Sequence, residues 1–277
     1  YLKDENEYTK KKMKPLKNLK NKIFEEMVSR LGKQEDTYPY QMGNFKYFSK
    51  YKKDFEYPIY FRVPIGGNKP LEILNPNTLS KGHQFFNLSS IRISPDETKL
   101  GFLVDTQGRN FFTLYIKDLK TGLVNETNIK DIAENFEWAN DNETIFYAKQ
   151  NPETLRWEKI FRYSLTSKGH KLIIHEQDEK YWVNIRKSKT NNYIFLESEA
   201  TLTSETYFLN ANQPKDEPII FSKRKEGHFY SVFDGGNSFL IKSNLNAKNY
   251  SLAETDLNKT NIKHWKTIIP HSNCPIF

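Results

Sequence analysis

A single cysteine, Cys274, stands in a chain of 277 residues. A lone thiol excludes an internal disulfide framework and an all-thiolate zinc site, and it fits a reducing compartment, so a cytoplasmic location is expected. Long apolar runs are missing too. Those present, such as Leu103-Val104 and Ile219-Ile220-Phe221, are a few residues long, whereas a bilayer-spanning helix needs roughly 20, so no contact with a membrane is expected. Tyr1 to Glu7 is too polar for the core of a secretory signal, and a start at Tyr1 without Met reads as an excerpt from a longer protein. None of the six histidines falls into His-Glu-x-x-His or Cys-His spacing; His170 and His175 are five apart, wrong for one helix face and on opposite sides of a strand. No metal and no other cofactor is expected.

Arginine is scarce, 8 residues against 34 lysines, and arginine is what planar phosphate recognition favours. The net charge of +8 is uneven: residues 1–53 hold 14 Lys+Arg against 7 Asp+Glu, and residues 54–277 hold 28 against 27. The basic run, with Lys10-Lys11-Lys12, Lys14, Lys17, Lys20 and Lys22, has the clustering that releases counterions from a polyanion. With no zinc-finger spacing and no aromatic-basic RNA signature, it reads instead as the solvated face of an amphipathic helix. No nucleic-acid partner is expected.

What the chain has is bulk. Its 277 residues are enough for one large β domain or two ordinary ones, and with 37% hydrophobic and 14% aromatic residues it is too apolar for general disorder. Residues 1–31 read as helical: Leu16, Leu19, Ile23, Met27 and Leu31 recur at helix spacing, with Phe24 and Val28 widening the stripe. Pro15 is placed to start a second helix and Gly32 to stop it. The stripe is expected to be poorly covered.

From about residue 38 the pattern changes to short Phe-, Tyr-, Ile- and Thr-rich runs broken by Asp, Asn and Gly. A tight polar turn followed by an apolar strand recurs at Gly43, Asp96, Asp141, Asn191 and Gly236, spaced by 53, 45, 50 and 45 residues. A further strand follows each, at Tyr57–Val63, Thr113–Lys117, Lys159–Tyr163, Thr206–Leu209 and Tyr250–Ala253. A repeat of that length with several strands per unit is the signature of a β-propeller. The fold class expected is all-β, an incomplete propeller preceded by a helical segment, with residues 1–37 as extension and 38–277 as blades. A β-sandwich would not explain the spacing.

No complete catalytic constellation is present. Gly235-Gly236-Asn237-Ser238-Phe239 imitates a nucleophile elbow but has Leu240 where the trailing glycine belongs, so it reads as a hairpin. Gly66-Gly67 is too short for a phosphate loop. Asp105 and Arg109 flank Gly108 and are placed to pair as a loop clamp. Trp138, Trp157 and Trp182 are expected to pack between blades.

The words between the repeats resemble the amino-terminal part of oligopeptidase B, a branch of the prolyl oligopeptidase family. They include Glu25-Glu26-Met27, Tyr57-Pro58-Ile59-Tyr60, Gly82-His83-Gln84-Phe85-Phe86, Ile93-Ser94-Pro95-Asp96, Val104-Asp105-Thr106, Trp138-Ala139-Asn140-Asp141, Pro152 to Arg156, Thr203-Ser204-Glu205, Arg224 to Ser231 and Ala247 to Tyr250. The resemblance implies a seven-bladed propeller that screens out large substrates, joined to an α/β-hydrolase domain with a Ser-Asp-His triad that cleaves short peptides after Lys or Arg. It implies that residues 1–37 belong to an extension wrapping that domain. No catalytic residue carries over, because the triad lies in the hydrolase domain; the chain alone is expected to be inactive, with its partners a peptide substrate and that domain. Innermost strands would line the substrate channel, with Arg92, Glu137, Asn184, Arg186 and Ser231 as candidates; the alternative for each is an ordinary solvated strand residue. The open edges of the end blades are expected to promote self-association. A different class of function, a non-enzymatic propeller scaffold for protein interaction, has against it the absence of a Trp-Asp pair at each repeat end.

Overall fold

One residue per repeat decides where the chain reverses. Gly43, Glu97, Asn142, Asn191 and Gly236 all have positive φ, between 56° and 89°, the left-handed conformation that a tight hairpin demands and that Gly and Asn tolerate best. The computed structural model describes residues 1–30, 36–53 and 55–274. Leu31 and Gly32, the ends of the expected helix, lie outside them.

Five four-stranded antiparallel sheets follow one another along the chain, each in simple sequential strand order. The first holds β1 (Tyr40–Met42), β2 (Phe45–Lys50), β3 (Ile59–Pro64) and β4 (Leu71–Leu74). The second holds β5 (Asn87–Ile93), β6 (Lys99–Asp105), β7 (Thr113–Asp118) and β8 (Val124–Glu126). The third holds β9 (Ile132–Trp138), β10 (Thr144–Gln150), β11 (Trp157–Ser164) and β12 (His170–His175). The fourth holds β13 (Trp182–Lys187), β14 (Tyr193–Glu199), β15 (Ser204–Asn210) and β16 (Ile219–Ser222). The fifth holds β17 (Tyr230–Asp234), β18 (Ser238–Ser243), β19 (Ser251–Asp256) and β20 (Lys266–Ile269). The Gly235-Gly236 segment is the β17–β18 hairpin, as its residues imply.

Two compact units divide the chain, residues 1–81 and 82–277. The first contains the helices and the first sheet. Helix α1 (Leu2–Met13) passes through a 3₁₀ turn, Lys14–Leu16, into α2 (Lys17–Arg30). Pro15 therefore sits inside the turn, and the second helix begins two residues later than the proline suggests. Leu16, Leu19, Ile23 and Met27 are 45%, 53%, 48% and 64% exposed, so the apolar stripe is uncovered.

In the second unit, consecutive sheets pack face to face, and the core lies between them. Leu103, Leu114 and Ile116 meet Phe136, Trp138 and Tyr147; Ala133, Phe146 and Ile160 meet Val183, Ile185 and Leu196; Phe195, Phe208 and Phe221 meet Tyr230, Val232 and Phe239. The second strand β10 is sandwiched and so carries apolar residues on both faces, Ile145 and Tyr147 toward the second sheet and Phe146 and Ala148 toward the fourth, and it is buried at nearly every position. Fourth strands such as β8 and β20 are exposed throughout. Trp138 is packed as expected, whereas Trp182 is 45% exposed.

Candidate functional site

With four antiparallel passes per sheet, the chain enters and leaves each sheet at one end. Crossovers to the next sheet and the loops between second and third strands lie there; the tight hairpins lie at the opposite end. Within the second unit the first strands, β5, β9, β13 and β17, touch from sheet to sheet through polar side chains. Polar groups belong on these strands because their edge is not covered by a further strand of the same sheet.

Contacts run from strand to strand. Ser90 Oγ donates to the carbonyl of Glu134 at 2.7 Å, and Ser89 bonds the Glu134 carboxylate. Arg92 Nε meets Glu137 Oε1 at 3.2 Å, and Trp138 Nε1 donates to the Arg92 carbonyl at 3.2 Å. Asn135 Nδ2 donates at 2.6 Å to both Asn184 Oδ1 and the Ile185 carbonyl. Arg186 Nε meets Glu197 Oε1 at 2.8 Å and its guanidinium also reaches the Val232 carbonyl. That guanidinium lies over Phe195 at 4.3 Å. Of the five residues singled out in the sequence, four join this row: Arg92 with Glu137, and Asn184 with Arg186 through Glu197, at 3.5 Å from the Asn184 amide. Ser231 is half-buried on β17 and takes no part in it. Glu134, Asn135, Lys187, Glu197 and Glu199 were missed. The available signal was charge inside an otherwise apolar strand, as in Leu196-Glu197-Ser198-Glu199.

Burial sets the electrostatics. It pushes the Glu137 carboxyl up, against the pull of Arg92 and Lys187. It pushes the Lys187 ammonium down, although Glu137 and Asp141 oppose this. Glu199 is pushed up to about 7 by burial and by Glu197 beside it, with Arg186 only partly offsetting.

Two further networks hold this surface. At the hairpin end of the second unit each turn is tied to the next: Asp96 N–H donates to Asn142 Oδ1 at 2.8 Å, Asn140 Nδ2 to the Asn191 carbonyl at 2.9 Å, and Thr190 to the Asp234 carboxylate. At the crossover end, Arg156 donates to the carbonyls of Asp178, Tyr181 and Glu176, and Arg224 bonds Glu176 with its guanidinium over the Tyr181 ring at 4.2 Å. Although burial disfavours its charge, Arg224 and the Ser198 hydroxyl hold the Glu176 carboxyl below its ordinary range. Asp105 is fully buried and does clamp its loop, but by accepting the backbone N–H groups of Gln107, Gly108, Arg109 and Asn110 at 2.7–3.1 Å. The Arg109 guanidinium instead lies 5.6 Å from the Phe111 ring centre.

Among the described residues no group of three or more His, Cys, Asp or Glu side chains is placed to hold a metal ion, and no helix is long and apolar enough to cross a membrane. What this surface offers is charged and amide groups in a fixed row, suited to contact with a polar chain.

Comparison with known proteins places these features. Residues 1–276 match the family model described as prolyl oligopeptidase, N-terminal beta-propeller domain. Protease 2 of Moraxella lacunata is 30% identical over 273 residues, covering 95% of this chain and 39% of that protein. Dipeptidyl aminopeptidase BI of Pseudoxanthomonas mexicana is 26% identical over 290 residues, covering 98% and 40%. The chain thus spans about two fifths of the length of these relatives. Among solved structures, oligopeptidase B from Leishmania major superposes with a TM-score of 0.86 at 21% identity, over 98% of this chain and 39% of that one, a likeness that speaks for the fold. Five sequential four-stranded sheets and the matched family model agree: the chain belongs to the N-terminal β-propeller domain family of the prolyl oligopeptidases.

Proposed function

We propose that this chain is the substrate-screening propeller of a cytoplasmic serine endopeptidase of the oligopeptidase B type, which cleaves short peptides after Lys or Arg. The observation that carries the reading is the match over residues 1–276 to a peptidase propeller family, joined to 30% identity with a protein named as a protease. The nucleophile, base and oxyanion donors belong to an α/β-hydrolase domain outside this chain, so the chain by itself is inactive. Arg92, Glu137, Asn184, Arg186 and Ser231 line the path by which peptides reach that domain. Supporting this, all five lie on first strands and remain partly open to solvent. Residues 1–37 form the extension that packs on the hydrolase domain and 38–277 the blades; the uncovered stripe of α2 supports that assignment. A single exposed thiol fits the cytoplasm. In isolation, the open blade edges pair between copies.

The test compares the full gene product with this chain on short Lys- and Arg-containing fluorogenic peptides and on the same sequences embedded in a folded protein. The expected result is turnover of short peptides only, by the full product only, abolished by a serine-directed inhibitor. Turnover by this chain alone, or none by the full product, overturns the reading. Light scattering of the isolated chain reads the self-association; a strictly monomeric species overturns that part.

A further inference from the structure

We propose that Arg92, Glu137 and Lys187 form an anion site on the inner strands that receives the terminal carboxylate of a short peptide. The inference rests on the reading of these strands as the peptide path. Three successive sheets contribute one residue each, from β5, β9 and β13. Glu137 is the central group: its side chain is 14% exposed and is bonded at 3.2 Å by Arg92, which is 41% exposed. Lys187 lies on the face of β13 that carries Val183 and Ile185 into the core shared with the third sheet, and so faces the strand bearing Glu137. Two cations thus converge on one carboxylate.

Lys187 is the unusual member. It is half-buried, and Glu137 and Asp141 both act on its charge, yet among the described residues no carboxylate lies within ion-pair distance of it and it donates no side-chain hydrogen bond. Charged side chains removed from water are nearly always paired. By contrast, Arg186, its neighbour, satisfies its charge on Glu197. The Arg92 guanidinium also keeps a terminal nitrogen unused, since its bonds to Glu137 and to the Ile91 carbonyl involve Nε and the other terminal nitrogen. An incoming carboxylate would accept from Lys187 Nζ and that Arg92 nitrogen while Glu137 holds Arg92 in place. A peptide carboxylate and a free phosphate share this chemistry. The peptide is favoured because the site lies in a row of amide and hydroxyl groups, Asn135, Asn184 and Ser90, suited to a backbone.

The experiment measures binding of one labelled short peptide to this chain by fluorescence anisotropy, as the free acid and as the C-terminal amide. The acid is expected to bind about tenfold more tightly, the worth of one charge-assisted contact. Lys187→Gln should erase the difference and Lys187→Arg should keep it, with circular dichroism reporting the fold of both. Should Lys187→Gln fail to fold, the side-chain NMR signal of Lys187 in the unaltered chain is expected to move on adding acid but not amide. Equal binding of acid and amide overturns the proposal. Inorganic phosphate binding that depends on Lys187, without an acid–amide difference, assigns the site to a free anion and overturns the peptide assignment. An acid preference with no peptidase activity in the full gene product would sink the functional reading and leave the site standing; equal binding with activity present would do the reverse.

Discussion

Gly101 on β6 lies where the ring of Phe136 on β9 needs to be: a Cβ built on Gly101 would stand 2.8 Å from two atoms of that ring and 3.3 Å from Trp138 Nε1. Both aromatic rings are buried in the seam between the second and third sheets. The missing side chain on one sheet makes room for two large ones on the next.

Gly101→Ala should therefore destabilise the protein by about 1–3 kcal/mol, the usual range for overpacking a core. Urea unfolding reads this as a lower midpoint at unchanged slope. An unchanged midpoint would mean the sheets separate freely at this seam.

Turn chemistry gives a paired prediction. Lys168, between β11 and β12, has φ of 55°, a conformation that disfavours any residue with a Cβ by about 1–2 kcal/mol. Lys168→Gly should raise the melting temperature, less the entropy that glycine adds to the unfolded chain. Asn142→Gly at φ of 59° should lower it, because Asn142 Oδ1 accepts the N–H of Asp96 across the sheet boundary. Opposite signs at two equally left-handed positions are the outcome to look for.

Asp105→Ala should be more damaging than its loop position suggests. The buried carboxylate accepts four backbone N–H groups, and hydrogen bonds to a charged group are worth about 1.5–3 kcal/mol each before the loop relaxes into water. A loss under about 0.5 kcal/mol in denaturant titration would contradict the clamp, since that is the range of ordinary surface substitutions.

Two groups bend the pH–stability curve from opposite sides. Glu199 has its folded value raised from 4.5 to about 7, so it imposes no penalty below about 4.5 and a growing one as pH rises through about 7. Glu199→Gln should then stabilise at pH ~8 and do little at pH ~4.5. His228 is lowered from 6.5 by burial first and by Lys225 second. Its neutral ring meets Ser243 Oγ at 2.8 Å. Stability is intact above about 6.5 and falls as pH drops from there through the folded value, because the unfolded chain takes the proton first. Replacing His228 with Asn should flatten that acid limb. Urea midpoints across pH check both, and parallel curves for variant and parent would refute either assignment.

Strand and turn positions were readable because each repeat states them locally: a polar turn, then an apolar strand. The Asp141-Asn142-Glu143-Thr144 turn carries its own Asx bonds, with Asp141 accepting from Glu143 and Thr144. The row of first strands was half readable. Arg92 and Glu137 stand out as charges beside apolar runs, but their pairing spans 45 residues and depends on how sheets stack. Lys187 and Glu199 stand at strand ends, and nothing local in the sequence marks a group buried by the neighbouring sheet. Trp182 was misjudged for the same reason: its ring size suggested a core, while its place at the first residue of an edge strand leaves it open.

Each antiparallel sheet has an even number of passes, four, and parity has a consequence. Duplicate or delete one such unit, and everything before and after it emerges on the side where it was. A three- or five-stranded unit would throw the remainder of the polypeptide to the opposite side. Repeat number is thus free to drift over generations without re-aiming whatever is fused to the chain, so long as strands are gained and lost in whole units.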